Sequence, residues 1–247
     1  MASRRKRKTE EEENEIIDSM MEPVLNDILK NKKIELKFKN QKQKLLADLI
    51  EQKEIIFSAG PAGCGKTYVA CAEALKIFKA DPKFKRIYII KSVTTIEGEE
   101  IGYLKGTLEE KMEPFMFSFI NNFEKVVGPI LLKELRERGC IQVMPIAYLR
   151  GVNLDNAIII IDEIQNLTKK HIKTILTRLG SDSKMILMGD MDQMDKTIKG
   201  EPGFTWSLRI FKENPRIGIH EFTIEDSVRN PLVTEMLSIM KADEETN

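Results

Sequence analysis

The sequence predicts an α/β domain, a parallel β-sheet with helices packed on both faces. Three observations carry that expectation. Short apolar runs recur along the chain: "EIIFSA" (54–59), "RIYII" (86–90), "CIQVM" (140–144), "AIIIIDE" (157–163), "KMILMGD" (184–190) and, more weakly, "IGIHEF" (217–222). Continuous runs, unlike alternating ones, mark strands buried on both faces. Helix-length segments separate them, as crossovers between parallel strands require. No internal repeat and no second strand–helix series is visible, so one domain accounts for the chain.

Each element has its own reason. The first strand feeds a glycine cluster, and "TYVACAEALKIF" (67–78) behind it is a helix punctuated by Asp81-Pro82. Ile158–Ile161 form an unbroken apolar strand that ends in Asp162 and Glu163, and Met185–Met188 repeat the design before Gly189 and Asp190. Phe115, Phe117, Phe119 and Phe123 recur at mixed spacing, which suggests core or subunit contact more than base stacking. Trp206 reads as a packing anchor. Pro231 suits the first turn of a last helix, where its missing N–H does no harm.

Composition sets outer bounds. The 247 residues are 42% hydrophobic, enough for a real core, and 39 Lys and Arg balance 39 Asp and Glu. A neutral total argues against a generally basic nucleic-acid binder and leaves room for a local basic groove. Cys64, Cys71 and Cys140 lack metal-ligand spacing and fit a reducing compartment. Neither a signal peptide nor a membrane-length apolar run is present, so a cytoplasmic protein without a membrane partner is expected. The opening "MASRRKRKTEEEE" reads as a solvated tail. Residues 1–30 are expected to be disordered or loosely packed, 31–240 to form the domain, and 241–247 a tail. The segment 30–44 holds seven lysines against one acid, either a phosphate-tracking arm or a solvated surface.

Chemistry concentrates in three places. Gly60, Gly65, Lys66 and Thr67 fit G-x-x-x-x-G-K-[ST]. Such a loop, running from Gly60 through Pro61, Ala62, Gly63, Cys64 and Gly65 to Lys66, Thr67 and Tyr68, turns backbone amides inward around phosphate oxygens. The helix behind it adds its positive end. Lys66 is placed to bridge the β- and γ-phosphates of ATP, and Thr67 to hold Mg²⁺. Asp162, at the carboxyl end of a buried strand, is the second metal-holding residue. Glu163 is placed to orient or deprotonate the attacking water. Gln193, in "MGDMDQMD", can contact both water and γ-phosphate. His171 and His220 are far apart in sequence, and neither suggests a metal site.

These stretches resemble the PhoH-like proteins, the phosphate-starvation-inducible P-loop ATPase family of bacteria and phages. The likeness is carried by "GPAGCGKTYVA", "EGEEIGYLKGTLEEKMEPF", "PIAYLRGVNLDNAIIIIDEIQNLT", "LTRLG", "GDMDQMD" and "EDSVRNPLV", spread over residues 40–240. The resemblance implies a single RecA-like P-loop NTPase domain of the helicase branch. It implies that Gln41, in "KNQKQ", reads adenine, that Arg229 completes the ATP site with Arg178 as a second candidate, and that Arg150 and the segment after Lys91 touch a nucleic-acid backbone. Two features depart from the family: Lys91-Ser92 stands where Arg-Pro is frequent, and 191–203 is polar and irregular. The resemblance does not extend to an RNA-cleaving domain, so nuclease activity is not expected.

Three functions compete at this point. An ATPase that moves or remodels RNA or single-stranded DNA is favoured by Gln193 and Arg229. An ATP-dependent switch with a protein partner is compatible with neutral charge. A small-molecule kinase needs an arginine-rich lid and an acceptor pocket that the sequence does not offer. One RecA-like domain supplies only half of the usual two-walled helicase site. A head-to-tail homo-oligomeric ring, for instance a hexamer, is therefore expected, with Arg229 reaching a neighbour's site.

Overall fold

The computed structural model describes residues 29, 31–91, 108–149, 151–195 and 200–246. Of the expected N-terminal segment, residues 1–28 and 30 lie outside the described residues, as do Ser92 and Arg150, whereas Leu29 is buried in the core and not loose. Six strands form one sheet: β1 (Ile55–Ala59), β2 (Arg86–Lys91), β3 (Ile141–Pro145), β4 (Ala157–Asp162), β5 (Lys184–Gly189) and β6 (Ile217–Glu221). Their order is β3-β2-β4-β5-β1-β6, and every neighbouring pair is parallel. β5 lies between the P-loop strand β1 and the acidic strand β4, the RecA-like arrangement.

The isoleucine run shows why these strands are apolar throughout. Successive side chains point to opposite faces. Ile158 and Ile160 enter one core with Ile56, Val69, Leu75 and Phe123. Ile159 and Ile161 enter the other with Phe57, Ile172, Ile175 and Phe204. The first core lies under α1 (Gln41–Gln52), α2 (Lys66–Ala80), α3 (Leu108–Val127) and α4 (Pro129–Glu137), the second under α5 (Lys169–Leu176) and α6 (Gly203–Ile210). Phe119 and Phe123 are core residues, while Phe117 is exposed.

Helix ends follow local chemistry. Asn40 caps α1 by accepting the Gln43 amide at 2.9 Å, and its own Nδ2 donates to the Asp226 carbonyl at 2.8 Å. Thr168 caps α5 in the same way, accepting from the His171 amide. The last helix, α7, runs from Pro231 to Thr246. It takes in most of the stretch expected to be a tail, because no Gly or Pro interrupts it after Pro231. No described helix is long and apolar enough to cross a membrane.

Candidate nucleotide-binding site

All six strands run in one direction, so their carboxyl ends share one edge of the sheet. In register, Ala59 pairs with Gly189 and Glu221, and Lys91 pairs with Asp162. A cleft of about 640 Å³ opens on that edge. Its lining includes Gly63, Gly65, Lys66, Thr67, Asp162, Glu163, Asp190, Gln193 and Arg229, which come from four separate stretches of sequence. Ligands of open parallel sheets bind at this edge.

The loop after β1 is shaped by left-handed glycines. Gly63 has φ +94° and Gly65 φ +86°, and Gly65 caps α2 without a side chain. A Cβ at Gly65 would lie 2.6 Å from Gln43 Nε2, and one at Gly63 would run into the Arg229 side chain. Lys66 opens α2, and its ammonium bends back to donate to the carbonyls of Gly60 at 2.5 Å and Pro61 at 2.9 Å. Ala62 and Tyr68 line the cleft. Cys64 is fully buried beneath the loop, its sulfur 3.6 Å from the Thr223 carbonyl. Burial pushes its thiol up to about 11, with nearby Lys66 opposing the shift, so it packs as a small apolar residue.

The acids stand across from the lysine. Thr67 Oγ1 donates to Asp162 Oδ2 at 3.1 Å. Burial and the adjacent Glu163 raise the Asp162 carboxyl above its ordinary range, against the Glu163 amide, Lys66 and Thr67, which lower it. Glu163 occupies the left-handed region at φ +60°, a conformation rare outside glycine and found at functional sites. Its backbone N–H donates to Asp162 Oδ1 at 3.0 Å. A hydroxyl and a carboxylate in contact, beside an ammonium and a glycine-lined cradle, fit a triphosphate and Mg²⁺. Thr67 and Asp162 would hold the ion.

A family model described as PhoH-like protein matches residues 35–241. The chain belongs to the PhoH family. It is 35% identical over 225 residues to a PhoH-like protein of Bacillus subtilis, covering 91% of this chain and 69% of that protein. It is 34% identical over 201 residues to the protein PhoH of Escherichia coli K12, covering 81% of this chain and 56% of that one. The chain therefore spans little more than half the length of the second relative. The large terminase of a thermophilic bacteriophage shares 13% identity at TM-score 0.49, over 80% of this chain and 49% of its own.

Within this PhoH domain the sequence-derived residues separate into those at the cleft and those away from it. Gln193 lies in a short turn after β5, its Nε2 donating to Asp190 Oδ2 at 2.7 Å. Arg229 lies against Gly63 of its own chain, held there by the Val228 amide, which donates to the Gly63 carbonyl at 3.0 Å. Gln41 is exposed and does not line the cleft; Gln43 does. The reason is helical phase. The buried face of α1 is Gln43, Leu46, Ala47 and Ile50, and two residues turn a side chain about 200° around the axis. Gln43 donates to the Cys64 carbonyl at 2.9 Å and accepts from the Lys39 amide at 2.8 Å, bracing the loop. Arg178 is also away from the cleft of its own chain. The turn after α5 returns it to the strand-entry edge, where its carbonyl accepts the Leu154 amide and its guanidinium donates to the Val152 carbonyl at 3.4 Å. Lys91 ends β2 next to Asp162.

Further groups join the site, of which the sequence marks only the lysines before α1, as part of the segment 30–44. Ser118, Asn122 and Lys125 reach the cleft from α3, and Lys37 and Lys39 from the segment before α1. Gln165 is buried between the acidic strands. Its Nε2 donates to Glu163 Oε2 at 2.9 Å, and its Oε1 accepts the Asp190 amide at 3.3 Å. The motif "DEIQN" contains it, and only its position three residues after Asp162 could have marked it out.

Proposed function

We propose that the protein hydrolyses ATP with Mg²⁺ and couples hydrolysis to work on RNA or single-stranded DNA in the cytoplasm. The observation that carries the hydrolase reading is the meeting of Lys66 and Thr67 with Asp162 and Glu163 at one sheet edge, with Thr67 in contact with Asp162. The bound nucleotide and ion supply the phosphoanhydride and its polarisation. Lys66 offsets charge on the phosphates, Glu163 is placed to take a proton from water, and Gln193 and Arg229 border the same space. Family membership supports nucleotide use; the nucleic-acid target is an inference from the helicase-like design.

Phosphate release with Mg²⁺ and ATP tests the reading. Lys66→Ala should abolish hydrolysis. Glu163→Gln should retain ATP binding and slow turnover by roughly 10²- to 10⁴-fold, the usual worth of a general base. Parental turnover in Glu163→Gln removes that carboxylate from the mechanism. Added single-stranded RNA or DNA should raise the ATPase rate, less so at high salt.

A second reading, an ATP-dependent switch with a protein partner, is favoured by one observation. α7 exposes Leu232, Val233, Met236, Ile239 and Met240, an apolar stripe at helical spacing. An ATPase rate indifferent to any nucleic acid would favour it.

A further inference from the structure

We infer that the outer surface of α5 and α6, with Trp206 at its centre, binds the backbone and an unpaired base of single-stranded nucleic acid. This rests on the nucleic-acid reading above and names the surface that serves it. The chain as a whole is neutral, yet charge is sharply divided here. Residues 164–181 carry Lys169, Lys170, Lys173 and Arg178 and no acid, and residues 202–212 carry Arg209 and Lys212 and no acid. α5 turns Ile172 and Ile175 into the core, which leaves Lys170 and Lys173 exposed on its far side.

Trp206 interleaves these cations with an aromatic face. Lys169 Nζ lies 5.8 Å and Lys173 Nζ 5.7 Å from its ring centroid, and Phe211 meets it at 6.3 Å with an interplanar angle of 63°. The indole is half-buried, and the exposed Lys173 side chain that lies over its ring is free to swing aside for a base. Glu201 is a carboxylate bound to this patch. It accepts Arg209 at 3.0 and 2.9 Å and Lys169 at 2.9 Å, so one acid answers two cations. Those hydrogen bonds, Arg209's first, hold its carboxyl down to about 2. Lys170 and Lys173, both exposed, then remain beside the ring to meet phosphates. A flexible strand can follow such cations while one base stacks on the ring; a paired base cannot turn to do so. α5 also begins shortly after Asp162 and is capped at Thr168, so a ligand on it lies one short turn from the catalytic acids.

Trp206 is the sole tryptophan of the chain, so intrinsic emission reports on this spot alone. The full chain is titrated with oligo(dT) and, separately, with poly(U), while anisotropy of labelled oligo(dT) follows binding independently. Trp206 emission should change and saturate together with the anisotropy. Lys170→Glu with Lys173→Glu should weaken binding about tenfold or more at low salt. Two lost contacts should also lower the log–log salt slope by about 1.4, at about 0.7 per contact on a single strand. A control reversing exposed Lys133 on α4, across the sheet, should leave both unchanged. The relative response to the two polymers separates DNA from RNA.

Unchanged affinity and slope in the double variant overturn the inference, as does Trp206 emission that stays flat at saturation. Equal affinity for polyglutamate or phosphatidylserine vesicles also overturns it, because the surface would then recognise polyanions in general. If oligonucleotides stimulate ATP hydrolysis while Trp206 is silent, this surface is wrong and the nucleic-acid reading stands. If hydrolysis proceeds and no oligonucleotide binds by either readout, both fall.

Discussion

Glu163 and Gln165 show how two side chains divide one task. Glu163 is held in a left-handed conformation, so its carboxylate leaves the strand direction set by β4. Gln165 then bridges that carboxylate to the Asp190 backbone, and Asp190 accepts Gln193. A single hydrogen-bonded line therefore joins the ends of β4 and β5. A hydrogen bond to a charged group is worth about 1.5–3 kcal/mol. Gln165→Leu should accordingly lower kcat by roughly 10- to 100-fold, because the base loses its orientation. Nucleotide affinity should hold within about twofold, since Gln165 is not among the residues lining the cleft. Steady-state kinetics with a thermal melt separate the two effects. A KM that rises while kcat holds, or a collapsed melting temperature, would assign Gln165 a binding or merely structural role. Gly63 sets a different constraint. Alanine there is strained by φ and collides with Arg229, so loop and arginine fail together.

β6 carries the least settled polar groups of the core. His220 pairs in register with Ser58 of β1, and among the described residues neither the serine hydroxyl nor the ring nitrogens make a hydrogen bond of good geometry, the nearest partner of the ring being the Lys42 backbone. The ring stands edge-on to Phe222 at 4.5 Å. Burial first, then the charge of Lys42, pushes His220 down to about 4 from 6.5, with the Lys42 backbone and then Asp226 pulling the other way. The folded state thus prefers the neutral ring. Its contribution is complete above pH 6.5 and is lost as pH falls towards 4. Between about pH 7.5 and about pH 5 that loss is about 2 kcal/mol. Denaturant unfolding of His220→Leu should show that much less acid sensitivity than the parent, and an equal loss in both would place the proton elsewhere. The strands themselves were legible because parallel strands need no polar face, so even weak "IGIHEF" emerged as β6 within a residue at its end. The P-loop and "DE" were legible because their chemistry is contiguous. Gln43 was missed in favour of Gln41 because its role depends on where α1 begins, a phase fixed by the Asn40 cap. Ser118, Asn122 and Lys125 were missed because only the packing of α3 on α2 brings them to the cleft.

The described residues form one sheet with the nucleotide cleft at its carboxyl edge, so the source of every cation at that cleft decides whether a chain can work alone. The single RecA-like domain suggested that Arg229 serves a neighbour in a ring. Its placement argues for its own site: Val228 is bonded to Gly63, and the Arg229 side chain covers that glycine. Pro231 starts α7 two residues later, which leaves the arginine little chain with which to swing outward. α7's exposed apolar stripe begins with Leu232, directly after that proline. Arg229→Ala should therefore slow hydrolysis by roughly 10³-fold, the lower end of what an arginine on the γ-phosphate contributes. Mixing Lys66→Ala with Arg229→Ala should restore nothing, even when labelled subunits are seen to exchange, because each site draws its lysine and its arginine from the same chain. Activity that returns on mixing, in proportion to mixed interfaces, would show that the arginine crosses between subunits and would reinstate the shared site.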